Sequence, residues 1–229
     1  MRIGIIGAME EETIALKNNL TERNDWAKAG ATFSSGKMAG HDIILVQSGI
    51  GKVNAAIATT LLINDYQADV VFNTGSAGAV DSNLAIADVV ISTELSYHDA
   101  DARAFGYVMG QVPQMPARYP ADEQLISVIE AATQKVGLKS VKGLIVTSDS
   151  FIADKKTIQR IKTDFSDAMV SEMEGAAVAQ VCYQFKTPFV IVRAVSDSAD
   201  DEAGISFDKF IIEAGKKSAE MVMEVIKHL

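Results

Sequence analysis

Three acidic clusters could move protons. Glu10-Glu11-Glu12 follows the apolar run of residues 2–8, Glu172-Met173-Glu174 leads from a short apolar run into a helical one, and Ser196-Asp197 ends the run PFVIVRAV. Where a buried strand emerges at the carboxyl edge of an open α/β sheet, ligands collect, and a carboxylate there is well placed as a general acid. Asp197 has that position. The plain alternative for the two glutamate clusters is that each opens a helix and complements its dipole. Arg193 lies inside the last apolar run, where it is costly to bury unless paired, so it is expected to hold one of these acids. Two glycine-rich stretches accompany the acids. Ser48-Gly49-Ile50-Gly51-Lys52 resembles a phosphate loop. However, Val46 and Val53 stand where a Walker A motif needs Gly and Ser or Thr, and Asn54 replaces the third glycine of the dinucleotide fingerprint. A tight turn before a helix is the better reading. Thr74-Gly75-Ser76-Ala77-Gly78 follows a strand expected to end at Asn73, and its small residues let a ligand approach the backbone.

Other chemistries fit less well. His98-Asp99-Ala100-Asp101 could suggest a metal, but the remaining histidines, His41 and His228, sit in no ligand motif and HExxH is absent, so no metal or cofactor is expected. Cys182 is the one cysteine. It can form neither an internal disulfide nor a cysteine zinc site, which fits a reducing compartment, and it reads as a small buried hydrophobe. No G-x-S-x-G elbow supports a serine hydrolase. Met9, Met173 and Phe151, taken alone, read as core residues.

The elements that must position these groups alternate in type. Apolar runs at 2–8, 69–73, 86–95, Ser140–Thr147, 169–170 and 189–195 read as buried strands, and Ala31–Met38 with 42–47 as a hairpin around Ala39-Gly40-His41. Helical spacing marks 10–20, 53–64, 122–136, 174–185 and 207–229. In 53–64 the spaced positions are Val53, Ala56, Ile57, Thr60, Leu61 and Asn64. Alternating strands and helices imply a largely parallel sheet with helices on both faces, and the hairpin makes it mixed. One stretch, 96–120, lacks any period yet carries Phe105, Tyr107, Met109, Val112, Pro113 and Met115. An irregular segment this long is usually functional, and its apolar content suggests a second subunit as its cover.

Composition excludes several classes. The 229 residues hold 21 Lys plus Arg against 30 Asp plus Glu, a net charge of −9. An acidic surface repels phosphate backbones, so no nucleic-acid partner is expected. No apolar run approaches the ~20 residues that span a bilayer. MRIGIIGAMEEE lacks an A-x-A cleavage site and reads as a first strand instead of a signal peptide. A soluble, cytoplasmic protein with no membrane partner is expected, organised as a single domain over 1–229.

Together the segments MRIGIIGAMEEE, QSGIGKVNAA, NTGSAGAV, YHDADARAFGYVMGQVPQMP, SDSFI, SEMEGAAVAQVC and PFVIVRAVSDSAD resemble, in order and spacing, the bacterial 5′-methylthioadenosine/S-adenosylhomocysteine nucleosidases. That resemblance implies a nucleoside phosphorylase-like, three-layer α/β/α fold with a central mixed, twisted sheet, usually homodimeric. It implies hydrolysis of the N-glycosidic bond of methylthioadenosine and S-adenosylhomocysteine to adenine and a thiosugar, in methionine salvage. It also implies roles. Glu12 would activate water, Asp197 would protonate adenine at N7 with Ser196 beside it, and Glu174 would bind the ribose hydroxyls over Met173. Phe151 would stack on adenine and the Ile152 backbone would read its edge. Ser76, Ala77 and Gly78 would line the site, with Arg193 contacting the acids around the sugar. Met9, Ile50 and Phe207 would wall the thioalkyl group, while Ala102, Phe105 and Pro113 would reach into the neighbouring subunit's site.

The chain departs from the family pattern at Ser148, where relatives commonly have glycine, at Gly175-Ala176, at Val108-Met109 and at the small Ala102. Ser148 is expected to alter the loop bearing Phe151, and Gly175 to loosen the start of its helix. These changes bear on substrate preference, which stays open. The chemistry suits the residue types. The bond breaks through an oxocarbenium-like state, and adenine leaves readily only when protonated. That needs an acid that keeps its proton near pH 7, which an enclosed site favours. Water needs a base across the sugar, and each proton transfer contributes ~10²–10⁴-fold. Three rivals remain. A phosphorylase would hold an anion with cations, yet Asn73 stands where an arginine is typical and the N-terminal loop offers glutamates. A futalosine-type nucleosidase is separated poorly by sequence. An adenosine-binding module would have no need of Glu12 or Asp197, and both are present.

Overall fold

The computed structural model describes residues 1–135, 137, 139–197 and 203–229. In chain order the elements are β1 (Arg2–Gly7), α1 (Glu10–Asn18), β2 (Thr21–Lys28), β3 (Ala31–Met38), β4 (His41–Gln47), α2 (Lys52–Asn64), β5 (Val70–Ala79), β6 (Val89–Tyr97) and β7 (Tyr119–Pro120). There follow α3 (Glu123–Lys135), β8 (Ser140–Thr147), α4 (Lys155–Asp164), β9 (Ala168–Glu172), α5 (Gly175–Phe185), β10 (Phe189–Asp197) and α6 (Ala203–Ile226).

The strands form one mixed sheet. β1 pairs in parallel with β4 and β5, and it is buried from Ile3 onward, which explains its unbroken apolar run. A Cβ added at Gly7 would meet Thr13 of α1, while one at Gly4 would meet Leu62 of α2. Strand neighbours three apart point to opposite faces, so α1 and α2 cover the two sides of the sheet. β10 pairs with β5 on one side and β6 on the other, β6 continues to β8 and β9, and β9 returns to β5. These pairings close a circuit of five strands, while β1, β4, β3 and β2 extend from β5 as a wing. The mixed sheet is as expected; the closure carries no sequence signal, because it depends on β5 finding three partners along its length.

Several boundaries differ from the sequence expectation. The strand placed at 69–73 runs on to Ala79, so Thr74–Gly78 is strand and not a loop after it. Parallel pairing with β10 from Val71 to Gly78 holds those small residues extended. The strand placed at 86–95 is shifted to Val89–Tyr97. The helix at 122–136 is Glu123–Lys135, and Val136 lies outside the described residues. The helix at 174–185 starts at Gly175, with Glu174 as its cap residue. The helix at 10–20 stops at Asn18, and the final helix is Ala203–Ile226. His41, placed in the hairpin turn, belongs to β4.

Three elements went unforeseen: the two-residue β7 inside the stretch read as irregular, β2 and α4. β2 (TERNDWAK) sits at the open margin of the wing and is nearly all exposed, so it shows charges instead of apolar alternation. Only Trp26 turns inward, stacked on Phe33 at 5.6 Å and donating from Nε1 to the Tyr66 hydroxyl at 2.8 Å. α4 buries little more than Ile161 and is capped by Asp154, which accepts from Thr157 N–H at 2.8 Å. In α2 the buried stripe is Ala55, Ala58, Thr59 and Leu62, whereas Val53 is 69% and Ile57 39% exposed. The helix prediction for 53–64 holds, but two of its spaced apolar residues, Val53 and Ile57, lie on its open face. Cys182 is buried in α5, and burial pushes its thiol well above the usual range. No helix among the described residues is long and apolar enough to cross a membrane.

Candidate active site

A cavity of about 630 Å³ opens at the carboxyl ends of β1, β5, β9 and β10. Its floor is built by short-range geometry. β1 ends at Gly7 and the chain turns into α1, whose third residue is Glu12. The Glu12 carboxylate reaches back to the helix start, where Oε2 accepts from the N–H groups of Ala8 at 2.8 Å and Met9 at 3.2 Å. Oε1 accepts from β5, from Ser76 N–H at 3.0 Å and its hydroxyl at 3.2 Å. The helix-start reading of this acid is therefore correct, and it coexists with a place on the cavity wall. A Cβ at residue 75 would lie 2.5 Å from Arg193 Nη1 and 2.6 Å from Glu12 Oε1, so only glycine lets these groups converge on β5.

Arg193 is the buried cation behind this wall, 1% exposed. Its guanidinium pairs with Glu172 through Nη2 and Nε and lies 3.5 Å from Glu174. It also donates to Asn73 Oδ1 at 2.7 Å. Burial alone would lower its pKa, but the facing charges of Glu172, Glu174 and Glu12 hold it above the ordinary value. Glu172 in turn accepts from Thr147 Oγ1 and from the N–H groups of Glu174 at 3.1 Å and Gly175 at 2.7 Å. Gly175 is thus tied at its backbone, and a Cβ there would press to 3.0 Å from Glu172 Oε1.

Glu174 faces the cavity with a different environment. Oε1 accepts from Gly51 N–H at 2.9 Å, and Gly51 holds φ at 99°, a conformation that favours glycine. Burial, reinforced by the charges of Glu172 and Glu12, raises its pKa to about 8 against the opposing pull of Arg193 and the Gly51 N–H. The 48–52 stretch is therefore a turn before α2, as expected, and it anchors an acid instead of a phosphate.

At the far end of β10, Ser196 donates to Asp197 Oδ2 at 2.8 Å. A register shift between Val195 and Asp197 lets Asp197 pair with Gly78. Phe151 follows β8 on a loop that Ser148 shapes, its hydroxyl accepting from Ser150 N–H at 3.2 Å. Phe151 is 47% exposed and meets Phe207 of α6 edge-on at 5.6 Å. The loop is fixed from outside by Asp149, which accepts from Lys52 N–H at 2.8 Å and faces the Lys52–Asp99 ion pair at 2.7 Å.

The cavity brings together Glu12, Asp197, Ser196, Ser76, Ala77 and Gly78 with Met173, Glu174 and the apolar Met9, Ile50, Phe151 and Phe207. Ile152 lines an adjoining recess of about 30 Å³. Arg193 stands behind the wall, acting through Glu172 and Glu174. Ala102, Phe105 and Pro113 do not line this cavity; Phe105 is 83% exposed. Ser171 and Ala8 line it without having been singled out, since a lone serine or alanine in an apolar run carries no local signal. No cluster of three or more metal-ligating side chains occurs among the described residues.

The arrangement can protonate a base at one end, hold hydroxyls in the middle and polarise water at the other. The family model of the phosphorylase superfamily matches residues 2–227. The chain is 53% identical to the 5′-methylthioadenosine/S-adenosylhomocysteine nucleosidase of Staphylococcus carnosus over 227 residues, 99% of this chain and 100% of that one. The nucleosidase of the same name from Bacillus subtilis is 50% identical over 230 aligned positions, covering 100% of each chain. The crystal structure of the Neisseria meningitidis nucleosidase with methylthio-immucillin-A superimposes with a TM-score of 0.98 at 45% identity, covering 100% of this chain and 99% of that one. By sequence and by fold, the chain belongs to the phosphorylase superfamily, among its 5′-methylthioadenosine/S-adenosylhomocysteine nucleosidases.

Proposed function

We propose that this chain hydrolyses the N-glycosidic bond of 5′-methylthioadenosine and S-adenosylhomocysteine, releasing adenine and a thiosugar. The observation that carries this reading is that two acids, Glu12 of α1 and Asp197 of β10, are held against neighbouring positions of β5 on one cavity. Glu12 is bonded to Ser76, and Asp197 pairs with Gly78 two residues further along. Ser76 and Gly78 themselves stand about 6.6 Å apart along the strand. Both acids line the same cavity of about 630 Å³, which has room for a sugar and a water. Asp197 gives a proton to N7 of adenine as the C1′–N9 bond breaks and its electron pair passes to the base. Water attacks C1′ while Glu12 takes its proton. Glu174 holds the ribose hydroxyls over Met173, Phe151 stacks on the base, and Met9, Ile50 and Phe207 shelter the sulfur substituent.

Water is favoured over phosphate by charge. A dianion beside an ionised carboxylate at 4 Å costs about 4 kcal/mol per like unit-charge pair at an effective dielectric of ~20. Asn73 is spent on Ile6 O and Arg193, and Arg193 is spent on Glu172, so neither serves as an anion clamp.

The chain acts as one domain, in the cytoplasm, in methionine salvage, and as a homodimer. Support for the dimer is the exposed apolar set Val53, Ile57, Phe105 and Val108, which a second copy would cover. In that dimer Ala102, Phe105 and Pro113 reach the partner's cavity.

The test supplies methylthioadenosine, S-adenosylhomocysteine and adenosine in parallel to dialysed protein, then titrates phosphate back. Free adenine and methylthioribose should form at a rate indifferent to phosphate. A phosphate requirement, with the sugar 1-phosphate as product, overturns the reading.

A further inference from the structure

The cavity wall holds one polar pair that the reaction above leaves unused. Ser171 precedes Glu172 on β9 and lines both the main cavity and the adjoining recess, which Ile152 and Asp197 also border. Its Oγ lies 3.2 Å from Nε2 of His98. His98 is 2% exposed, its N–H donates to Thr147 O at 2.9 Å, and its Nδ1 has no hydrogen-bond partner.

These facts fix where the ring proton sits. Burial lowers the pKa of His98, and Arg160 adds to that, against the opposing charges of Asp99 and Glu172. The ring is therefore neutral at neutral pH and carries one proton. A buried N–H without an acceptor is rarer and costlier than a buried lone pair without a donor. Because Nδ1 is the nitrogen without a partner, the proton belongs on Nε2, which donates to Ser171 Oγ. The hydroxyl's own hydrogen is then available to a second acceptor.

Strand register says where that acceptor would lie. Ser171 pairs with Gly78 on β5, and Gly78 pairs with Asp197 on β10. Two strand spacings along the curved ring, at most roughly 9–10 Å, separate the Ser171 and Asp197 backbones. Between them Gly78 offers no side chain. The cavity over that span, about 630 Å³, has room for a flat bicyclic base, with Asp197 at one flank and Ser171 at the other.

We propose that Ser171, oriented by His98, donates a hydrogen bond to a ring nitrogen of the bound purine, at the flank opposite Asp197. His98 is then a positioning residue and Ser171 a specificity-determining one. This rests on the purine-nucleoside reading of the cavity given above. Its consequence is selective: bases that present an acceptor there bind better than bases with C–H at that place.

The experiment compares the native chain with Ser171→Ala, measuring calorimetric binding of adenine, 1-deazaadenine and 3-deazaadenine, together with thermal melts. Ser171→Ala should weaken adenine about three- to tenfold. For the one deaza analogue that lacks the contacted nitrogen, the native chain and the variant should bind alike, a non-additive cycle. Ser171→Cys, which keeps the size and loses a strong donor, should repeat the pattern and serves if the alanine variant does not fold. Unchanged adenine binding in the variants overturns the proposal, including when the melting temperature falls, since Ser171 is then only the structural partner of His98. An equal loss on all three bases overturns it as well. If the native chain releases no adenine from methylthioadenosine, it is the nucleosidase reading that fails.

Discussion

Glu12 and Ser76 meet through two hydrogen bonds to one carboxylate oxygen, from the Ser76 backbone at 3.0 Å and its hydroxyl at 3.2 Å. With the Ala8 and Met9 N–H groups on the other oxygen, the acid is held from the start of α1 and from β5 at once. A side chain fixed so firmly can accept a proton without first reorganising.

Glu12→Gln keeps the shape and removes the carboxylate proposed as the base. Turnover should fall at least ~10²-fold. Were Glu12 only a helix-dipole residue, the variant would lose ~0.3–1 kcal/mol of stability and keep its activity. Rate and melting temperature measured on the same sample separate these outcomes.

Asp197→Asn should nearly abolish turnover while substrate binding stays measurable. The amide can still hydrogen-bond N7 and Ser196, but it has no proton to deliver. Native-like turnover in a folded asparagine variant removes Asp197 from its role.

Glu174 makes stability depend on pH in a definite direction. Its folded pKa of about 8 exceeds the ordinary glutamate value of 4.5, so folding favours the protonated form. The unfolded chain loses that proton near 4.5 and the folded chain near 8. Between these values the folded state binds more protons, and this contribution to stability, complete below the lower value, is lost as pH rises. Glu174→Gln is neutral throughout. At about pH 9 it should melt at least 2–4 °C above the native chain, roughly 1 kcal/mol for a protein of this size. At about pH 4 the difference should vanish. The same variant should raise KM for methylthioadenosine, having lost an acceptor for a ribose hydroxyl. A melting difference independent of pH contradicts the assignment.

Phe105 and Val108 lie on the irregular segment that the Lys52–Asp99 ion pair ties beside α2, whose own Val53 and Ile57 face outward. Light scattering at micromolar concentration should give a dimer mass. Phe105→Glu should shift the mass toward monomer and lower activity together. A monomeric mass in an active native preparation contradicts the homodimer.

What the sequence made legible follows from the range of each signal. Apolar runs and helical spacing are local, so β1, β8, β10 and α6 could be placed to within a few residues. The acids were legible because Glu12, Glu174 and Asp197 stand beside such runs. Other features are set by distant partners. Thr74–Gly78 looks like a loop until β10 pairs with it, and β2 looks like none of the strand patterns because water covers it. Arg193 was expected to hold an acid, and it does; that Glu172 takes its closest bonds depends on Thr147 and the start of α5 meeting that carboxylate. Ser171 gains its interest only from His98, seventy-three residues away in sequence.

The five-strand circuit bears on how a ligand enters. A site on an open sheet can breathe by peeling a strand from the margin. Here β5 and β10, which carry Ser76, Gly78 and Asp197, each have neighbours on both sides, and the free margin of the sheet lies away at β2. Separating the site strands would require breaking the ring at two seams. Traffic through the cavity therefore falls to its rim, where the half-exposed Phe151 and Ile50 stand beside Phe207 of α6. The ring works as a fixed socket, and the aromatic rim as its doorway.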